Sequence, residues 1–414
     1  MSAKIDPSQM LSQLHRIHSQ WMKGVANPLW NNASVLCILH GKQEEDVIYR
    51  KSIAFQLHVT GYELPDTVMI LSKKGVFYVL SSAGKCRILE PVREASEKAM
   101  PSGTFGGIKV ELFSRSKTTD CSAYHSKMVS SIAEGGELIM GTITKDLANG
   151  PIVDGWIEAS RKAGVQTVDV TIAIGIILAT KDTEEIDLLR KSAALTSKVM
   201  KIAFIEKMED VIENDSEVTH FDLSQSVTEV ILSPIKIKLK IDSADVETSY
   251  HPVVQSGGDY DLKLTAESNK NILKPDIIIA SIGARYRSYC GTITRSFFVD
   301  APKRIVEIYA ALLQTHSRCA DSLRSGVPLK EVMAAAHNFL KERYASLIPH
   351  LTRTLGCALG LDFKEKAMDI NAKNTIRARE GMVFTLHVGF HDVPLSDTDR
   401  KGSSINFEKF SIAI

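Results

Sequence analysis

The sequence has few of the features that mark secreted, membrane-spanning or zinc-finger proteins. Its six cysteines are scattered over 414 residues, and none forms a C-x-x-C pair. This usage argues against a zinc ribbon and is typical of a reducing compartment. The N-terminus lacks an apolar signal core, and no apolar run approaches membrane-spanning length. We therefore expect an intracellular soluble protein without a membrane partner; composition does not separate nucleus from cytoplasm.

The sequence also has almost no net charge. Its 50 Lys and Arg residues are balanced by 49 Asp and Glu residues, which leaves +1 with His neutral. Such a chain has no global field that would attract nucleic acid or an anionic membrane. The composition is otherwise that of a globular protein, with 44% hydrophobic and 24% charged residues. The length exceeds what one hydrophobic core usually serves and predicts two domains.

Residues 1–178 are predicted to form an α/β domain in which helices and strands alternate. An amphipathic helix fits residues 7–22, because Pro7 suits a first turn and the apolar residues recur at helical spacing. Runs of the strand type follow it along the chain. They read ASVLCILHG, DTVMILS, GVFYVLS, ELIMGTIT and VQTVDVTIAIGIILAT.

Residues 179–414 are predicted to form an α+β domain with helices packed against an antiparallel sheet. The first helix begins at Asp182, because Glu185 three residues later completes a capping signature. Further helices and strands follow from apolar periodicity. The helices fit 303–322 and 328–345, and the strands fit 235–241, 276–282, 290–299, 382–388 and 405–414. The chain ends inside the last strand pattern, so we expect it to be a domain of a longer protein.

The most specific motif lies at residues 281–297, SIGARYRSYCGTITRSF. It resembles the D-x-G-A and D-x-T-R signature of the pita-bread metallopeptidases, which include methionine aminopeptidase, aminopeptidase P, prolidase and creatinase. The 11-residue spacing of the signature is kept, but Ser281 and Thr292 stand where the family has its two metal-binding aspartates. The frame residues that remain are Gly283, Ala284, Tyr289 and Arg295.

The other peptidase motifs have lost their ligands in the same way. Cys357 in GCALG replaces a ligand histidine, and His387 in EGMVFTLHV replaces a ligand glutamate. Lys364 stands at the position of a substrate-orienting histidine, and Glu408 aligns with the last ligand glutamate. Two closely spaced dications need several carboxylates, including bridging ones. The resemblance therefore implies a fold without a bound metal, a cofactor or a catalytic residue.

Further strings narrow the resemblance to a non-enzymatic branch of this fold. Residues 251–262, HPVVQSGGDYDL, together with YRSYCGTITRSF and GYELPDT, look like the N-terminal domain of the large subunit of the FACT histone chaperone. The resemblance covers the whole chain. It implies an α/β lobe of the creatinase N-terminal type over 1–178 and a catalytically inactive α+β pita-bread lobe of the aminopeptidase P type over 179–414.

The same resemblance implies partners and a location. The family is nuclear and chromatin-associated, and it reorganises nucleosomes during transcription, replication and repair. Its partners are core histones and histone tails. An HMG-type subunit binds through other domains of the full-length protein, and replication or transcription factors are further candidates.

Two interpretations of the degenerate site stay open. It is either a groove for an extended peptide or a relic pocket filled by side chains or water. The groove would be lined by Ser281, Thr292, Cys357, Lys364 and His387. Cys357, His387 and Glu408 are also zinc-capable, but we favour a buried cysteine and a hydrogen-bonded histidine over a rebuilt zinc site.

Two charged segments are candidates for contacts with chromatin. In IKIKLKI, residues 235–241, the lysines alternate along a predicted strand; we interpret them as a solvated face or protected edge rather than a direct DNA contact. The acidic stretch EKMEDVIENDSE, residues 206–217, offers either carboxylates for basic histones or a solvated helix end. Its candidate histone-binding residues are Glu209, Asp210, Glu213 and Asp215.

The sequence thus predicts a non-enzymatic, histone-binding, aminopeptidase-like domain. One alternative is an active Xaa-Pro aminopeptidase with an altered metal site. The other is a docking module for chromatin factors that has no histone affinity of its own.

Overall fold

The computed structural model describes residues 5–24, 28–42, 49–116, 118–134, 136–401, 405 and 408–414. The chain divides into two compact units, Met1–Leu178 and Ala179–Ile414. Both units combine helices with β-sheet, in agreement with the α/β and α+β classes that the sequence predicts. Within the described residues, no helix is long and apolar enough to cross a membrane.

The first unit is built on a six-stranded mixed sheet. Its strands are β1 (Val35–His40), β2 (Thr67–Ser72), β3 (Val76–Ser82), β4 (Lys109–Arg115), β5 (Ile139–Thr142) and β6 (Gln166–Asp169). Its helices are α1 (Pro7–Lys23), α2 (Lys51–Thr60), α3 (Ala83–Ala99), α4 (Ser122–Ala133), α5 (Pro151–Lys162) and α6 (Thr171–Ala179). The strand order is β4-β3-β2-β1-β5-β6. The β1–β2 and β2–β3 pairs are antiparallel, and the other pairs are parallel.

The N-terminal elements confirm the helix predicted over 7–22 and the first three strand runs. Helix α1 begins after Asp6, whose side chain accepts hydrogen bonds from the backbone N–H groups of Ser8 and Gln9 at 2.9 and 3.1 Å. Its predicted apolar face is buried, and Trp21 is fully enclosed. Strands β2 and β3 are joined by a tight turn in which Gly75 has φ 76°. A positive φ of this size favours glycine.

The last apolar run of this unit is only partly a strand. β6 covers Gln166–Asp169, and the following TIAIGIILA forms α6. The carboxylate of Asp169 accepts hydrogen bonds from the backbone N–H and the hydroxyl of Thr171, which favours a helix start at this point. A run that is apolar throughout carries no period that distinguishes strand from helix. The prediction of a continuous strand over this run is therefore wrong for its second half.

The second unit consists of helices packed on antiparallel strands. Its helices are α7 (Thr183–Val199), α8 (Glu206–Glu213), α9 (His220–Leu232), α10 (Lys303–Ser322), α11 (Leu329–Arg343) and the short α12 (Asp397–Arg400). Its strands are β7 (Val246–Gln255), β8 (Ile277–Tyr286), β9 (Tyr289–Phe298), β10 (Gly356–Ala358), β11 (Phe384–Leu386), β12 (Gly389–Pro394) and β13 (Lys409–Ala413). They pair as β7-β8-β9, β10-β11 and β12-β13, and all of these pairs are antiparallel.

The helices of this unit agree closely with those predicted from the sequence. The capping box at the start of α7 is present in both directions, with 2.9 Å from Asp182 N to Glu185 Oε2 and 2.9 Å from Glu185 N to Asp182 Oδ1. Helices α10 and α11 coincide with the predicted helices at 303–322 and 328–345. Helix α7 continues through a π-helical segment, Met200–Ile205, into α8. Helices α7, α8 and α9 together cover the core of the β7-β8-β9 sheet.

The strand predicted at 235–241 is absent, and this prediction is wrong. Pro234–Ile237 form a 3-10 turn, and Lys238 follows with a φ of 56°, so the chain cannot extend there. Ile237 is buried whereas Ile235 is 81% exposed, which removes the alternation on which the strand depends. The lysines do not line one face of a strand, so both interpretations of that face lose their basis.

The other strand predictions of this unit hold in part. The ends of β8 lie one and four residues from those of the predicted segment 276–282, and both ends of β9 lie one residue from those of 290–299. β11 occupies only the middle of 382–388. β13 occupies the end of 405–414, part of which lies outside the described residues. β7 was not predicted as a strand.

Close contact between α7 and the hairpin β8–β9 fixes the position of the candidate site. A Cβ atom on Gly291 would lie 2.8 Å from the backbone carbon of Ser192, so only glycine permits this approach. The hydroxyl of Ser192 donates to the carbonyl oxygen of Ala284 at 2.8 Å. These two contacts hold the strands that carry residues 281 and 292 against the helix.

In the first unit, the string GYELPDT provides a cap for a distant helix. Asp66 Oδ1 accepts hydrogen bonds from the backbone N–H groups of Ile152 and Val153, at 3.0 and 3.2 Å. These groups belong to the first turn of α5, where helix N–H groups have no partner within the helix. Asp66 itself has a φ of 47°, a left-handed conformation that Asp tolerates better than most residues. This side chain therefore ties a loop before β2 to a helix far along the chain.

We predict that Asp66→Ala lowers the free energy of unfolding by about 2 kcal/mol, through the lost cap and the strain of alanine at positive φ. Asp66→Asn keeps both an acceptor oxygen and the tolerance of that φ, and should cost less than about 1 kcal/mol. Urea denaturation of the full chain measures both values. The control is Glu94→Ala, at an exposed position of α3; equal stability of the two alanine variants would contradict the capping role.

Candidate functional site

The candidate site of the second unit is built on β7, β8 and β9. The register of β8 and β9 pairs Ser281 with Thr294 and Gly283 with Thr292. Ser281 and Thr292 are therefore diagonal neighbours on one face of the sheet. The structure thus brings together the two positions at which the resembling peptidases have aspartates.

Ser281 lies inside a chain of hydroxyl groups. Its side chain is 4% exposed. Its Oγ accepts a hydrogen bond from Thr294 Oγ1 at 2.8 Å and lies 2.9 Å from Tyr250 Oη. Burial raises the pKa of the Tyr250 hydroxyl, so that this group stays protonated. The position of the first metal-binding aspartate is therefore occupied by neutral groups that satisfy one another.

The glycine of the retained motif makes room for this tyrosine. A Cβ atom on Gly283 would lie 2.4 Å from Tyr250 Cε1. The tyrosine ring also lies against Phe363, with 5.4 Å between ring centroids. Gly283 is therefore required by the packing of an aromatic ring that holds the hydroxyl chain.

A cavity of about 230 Å³ lies in front of the second aspartate position. Its polar lining includes Thr292, Thr294, Arg295, His316, Thr385 and His387. Thr292 Oγ1 and Thr385 Oγ1 lie 3.0 Å apart, so one hydroxyl donates to the other across β9 and β11. Thr292 and His387, two of the predicted groove residues, therefore line a common cavity.

His387 is the unusual group of this cavity. Among the described residues, its buried Nε2 atom has no hydrogen-bond partner, so the hydrogen bond that we expected of this histidine is not made at Nε2. Burial, and secondly the positive charge of Lys364, lower the pKa of the imidazole to about 4. The ring is therefore neutral at physiological pH and presents an unpaired polar atom.

Cys357 and Lys364 lie at the edge of this arrangement rather than in it. Cys357 lies on β10 opposite Thr385 and is 3% exposed, and burial raises the pKa of its thiol to about 12. The exposed Lys364 acts electrostatically on both Cys357 and His387. Asp369 carries a carboxyl group whose pKa is raised by burial and lowered in part by Lys364. This acidic neighbour was not predicted from the sequence.

Glu408 does not join the other former ligand positions in a metal site. It is an exposed residue just before β13, and its backbone carbonyl accepts a hydrogen bond from Leu395 N at 2.7 Å. Within the part of the chain that the structure describes, no group of three His, Cys, Asp or Glu side chains has the arrangement of a metal site. The neutral thiol of Cys357 and the hydroxyl chain at Ser281 also lack the charge that dications require. The residues present do not fit the metal pair of the resembling peptidases.

Sequence reasoning missed two cationic or potentially cationic members of the cavity. Arg295 was identified in the sequence only as a frame residue of the motif. His316 belongs to α10, for which the sequence reasoning used only the apolar residues of the buried face. The position of His316, four residues after the buried Leu312, places it beside that buried face. A search for polar residues next to buried helical stripes would have found it.

The acidic stretch forms α8 and the turn that follows it. Met208 and Val211 anchor the helix in the core, while every Asp and Glu from Glu206 to Glu217 is exposed. None of these carboxylates forms an ion pair with a described residue. The predicted residues Glu209, Asp210, Glu213 and Asp215 therefore belong to one solvent-facing acidic surface, which we call the α8 acidic surface.

The first unit contains a buried polar network around the GYELPDT string. His40 Nδ1 lies 2.6 Å from Gln56 Oε1, and the Gln56 amide exchanges hydrogen bonds with the backbone of Leu64 at 2.8 and 3.2 Å. Lys85 donates to the carbonyl oxygen of Pro65. The string GYELPDT therefore has a structural role, because its backbone supplies hydrogen bonds that satisfy buried polar side chains.

Comparison with known proteins gives matches over both units. The family model described as the FACT complex subunit SPT16 N-terminal lobe domain matches residues 5–173. The model of metallopeptidase family M24 matches residues 187–411, more than half of the chain. The FACT complex subunit SPT16 of Zea mays is 32% identical over 395 residues, and the match covers 94% of this chain and 37% of that protein. The chain thus spans less than half the length of this relative.

Solved structures give the same result for the fold. The N-terminal domain of FACT complex subunit SPT16 from Cicer arietinum superimposes with a TM-score of 0.87 at 29% identity, covering 99% of this chain and 94% of that chain. A dipeptidase from Pyrococcus horikoshii OT3 superimposes with a TM-score of 0.65 at 17% identity, covering 97% and 93%. The second likeness shows the shared pita-bread fold alone.

We predict that His387 makes the stability of the protein depend on acidic pH. The pKa of its imidazole is about 4 in the folded protein and 6.5 in the unfolded chain, so only the unfolded chain gains the proton between these values. Stability is fully present above pH 6.5 and declines as the pH falls towards 4. Relative to His387→Gln, the wild type should lose about 2 kcal/mol of unfolding free energy between pH 7 and 4.5.

Urea denaturation at several pH values measures this difference. Lys364→Met removes a positive charge that disfavours the imidazolium, so it should make the decline smaller. His251→Gln, at an exposed position of β7, is the control whose difference from wild type should stay constant. A constant difference for His387→Gln as well would show that the ring is solvated in the folded protein.

Proposed function

Because the chain belongs to metallopeptidase family M24, in the branch of the N-terminal domains of FACT complex subunit SPT16, we propose that it is a non-enzymatic histone-binding domain. The full-length protein would act as a FACT-type histone chaperone in the nucleus. It would reorganise nucleosomes during transcription, replication and repair, and would bind its HMG-type partner through other domains.

The observation that carries this proposal is the α8 acidic surface. Core histones are strongly basic, and exposed carboxylates that form no ion pair with a described residue are available to pair with them. Lys207 is the basic residue of the same helix, and it is exposed among a majority of acidic side chains. An acidic surface of this kind would shield basic histone segments without any chemical step.

The placement of the carboxylates on α8 supports a role other than stability. Asp210 and Glu213 lie in the last turn of a helix that has no basic residue there. A negative charge at a helix C-terminus is unfavourable, by roughly 0.3–1 kcal/mol. Residues that lower the stability of their own helix are typical of a binding surface.

The degenerate peptidase site supports the non-enzymatic part of the proposal. The peptidase reaction depends on a water activated between two metal ions. Here Ser281, Thr292 and Cys357 contribute neutral hydroxyl and thiol groups at three of the former ligand positions. Neither the bound water nor its activation is available from such a set.

We predict that the domain binds core histones and that the α8 acidic surface contributes to the affinity. Charge reversal at Glu209, Asp210, Glu213 and Asp215 should weaken binding by roughly tenfold or more near physiological salt, since several charge pairs are replaced by repulsion. Titration of intact and tail-less core histones over a salt series measures the effect. Loss of binding when the tails are removed would show that the tails supply the basic partner.

A control variant separates this surface from a general charge effect. It reverses Glu307, Asp321, Glu331 and Glu342, which are exposed on α10 and α11, and should bind histones almost as well as the wild type. The neutral pair Asp210→Asn and Glu213→Gln should bind more weakly and yet unfold at a slightly higher temperature. If the wild type binds neither form of histone, the domain is a docking module for other chromatin factors.

We predict no turnover of Xaa-Pro peptides, with or without added manganese, cobalt or zinc. The test compares peptide hydrolysis by this chain with that of an active prolidase at equal concentration, after dialysis against each metal. Stoichiometric metal together with proline-dependent cleavage would establish the alternative of an altered aminopeptidase. The histone result does not depend on this measurement.

A further inference from the structure

The turn that follows α9 presents two aliphatic side chains to solvent. Leu232, the last residue of α9, is 47% exposed, and Ile235 in the next 3-10 turn is 81% exposed. Their neighbours Ile231, Pro234 and Ile237 are buried, and the two isoleucines belong to the core under the β7-β8-β9 sheet. The exposed pair is therefore carried on a turn that is anchored in the core, so little conformational entropy is lost when a partner covers it.

Backbone hydrogen bonds fold the lysines that follow back beside this pair. Lys238 N donates to Ile235 O at 3.0 Å, and Leu239 N donates to Pro234 O at 3.1 Å. Lys238 has the left-handed φ of 56° that reverses the chain at this point. A lysine in this conformation is strained. The same turn therefore holds an exposed isoleucine and a strained lysine close together.

The charge around the exposed pair is mainly positive. From α7, Lys198 Nζ donates to Lys238 O at 3.4 Å, which brings a further ammonium group to the turn. Lys236 lies 3.7 Å from Glu229 in an exposed ion pair, and such pairs contribute little. Lys238 and Lys240 form no ion pair with a described residue. Most of the positive charge at this turn is therefore uncompensated.

We propose that this surface, which we call the α9 turn surface, binds a protein segment in which carboxylates flank large apolar side chains. It consists of Leu232, Ile235, Lys198, Lys236, Lys238 and Lys240. The carboxylates would pair with the lysines, and the apolar side chains would cover the exposed aliphatic pair. A nucleic acid would use only the lysines, because its phosphates gain nothing from an isoleucine.

The cost of these features in the free protein supports a binding role. Lysines that lie close together repel one another, Lys238 is strained, and Ile235 exposes almost a whole side chain to water. Residues that lower stability in this way are typical of a site that a partner completes. The inference goes beyond histone binding and does not rest on it, since basic histones carry the same charge as these lysines.

Fluorescence anisotropy of a labelled acidic peptide titrated with the full chain tests the proposal. The peptide carries leucine and phenylalanine among aspartates and glutamates, and should bind with a Kd of roughly 10–500 μM, as suits a small interface. One companion peptide has serine in place of the apolar residues, and another has lysine in place of the acidic ones. Both should bind at least about tenfold more weakly. A labelled DNA duplex is titrated in parallel.

Variants of the turn locate the binding. Ile235→Ala should weaken it about fivefold or more at low and high salt alike, because apolar burial is not screened. The double variant Lys238→Gln and Lys240→Gln should weaken it about threefold or more, mainly at low salt. Lys238→Gly should weaken binding and yet raise the unfolding temperature, because glycine removes the strain of the left-handed conformation.

Control variants match the turn variants in exposure and residue type. Leu147→Ala alters an aliphatic residue of the first unit that is 80% exposed, and Lys330→Gln with Lys341→Gln alters exposed lysines of α11. Both should bind the acidic peptide like the wild type. Thermal unfolding of each variant establishes that folded proteins are compared.

Three results would overturn the proposal. One is the absence of binding of the acidic peptide up to about 1 mM. Another is peptide binding that neither Ile235→Ala nor the double lysine variant weakens. The third is DNA that binds more tightly than the peptide and is released by the lysine variants, which would make the turn a contact for phosphates. The histone titration is read separately, because its variants leave the α9 turn surface unchanged.

Discussion

The hydroxyl chain of Tyr250, Ser281 and Thr294 is the interaction on which the second unit depends. It stands where the resembling metallopeptidases place a carboxylate between metal ions. Buried carboxylates without their cations would repel one another and would cost several kcal/mol in desolvation. Neutral hydroxyls that satisfy one another contribute instead about 1 kcal/mol for each bond. Exchange of the ligands therefore allows the same sheet to be stable without a metal.

This exchange explains which motif residues persist. Gly283 is required because the Tyr250 ring occupies the space of a Cβ atom. Gly291, which is not part of the peptidase signature, is required because β9 lies against the backbone of α7. Both glycines serve the packing of the hairpin, whereas the positions of Ser281 and Thr292 are those of the metal-binding aspartates in the resembling peptidases. The packing is kept where these aspartates are not, and the fold stays recognisable at 17% identity to a dipeptidase.

The sequence predicts the frame of the second unit better than its irregular parts. Helices α7, α10 and α11 were predicted because their apolar residues recur at helical spacing and because the Asp182–Glu185 box marks a start. The strand prediction over 235–241 was wrong because it used only the alternation of a few residues. It did not take account of the turn that begins at Pro234 or of the left-handed conformation of Lys238. Strand β7 was missed because Thr, Ser, His and Pro interrupt its apolar pattern, although the family string HPVVQ lies within it. The second half of VQTVDVTIAIGIILAT was wrongly predicted as a strand because a run that is apolar throughout carries no period that distinguishes strand from helix.

The residues of the candidate site were likewise predicted only in part. The resemblance to the peptidase motifs grouped Ser281 and Thr292 with Cys357, Lys364 and Glu408. In the structure, Ser281 and Thr292 are diagonal neighbours on paired strands. The other three lie outside the lining of the cavity: Cys357 is buried, and Lys364 and Glu408 are exposed. Arg295 and His316 join the lining of the cavity through tertiary packing. Helical spacing indicates this only for His316, which lies beside the buried face of α10, because periodicity within one element does not show which other elements approach it.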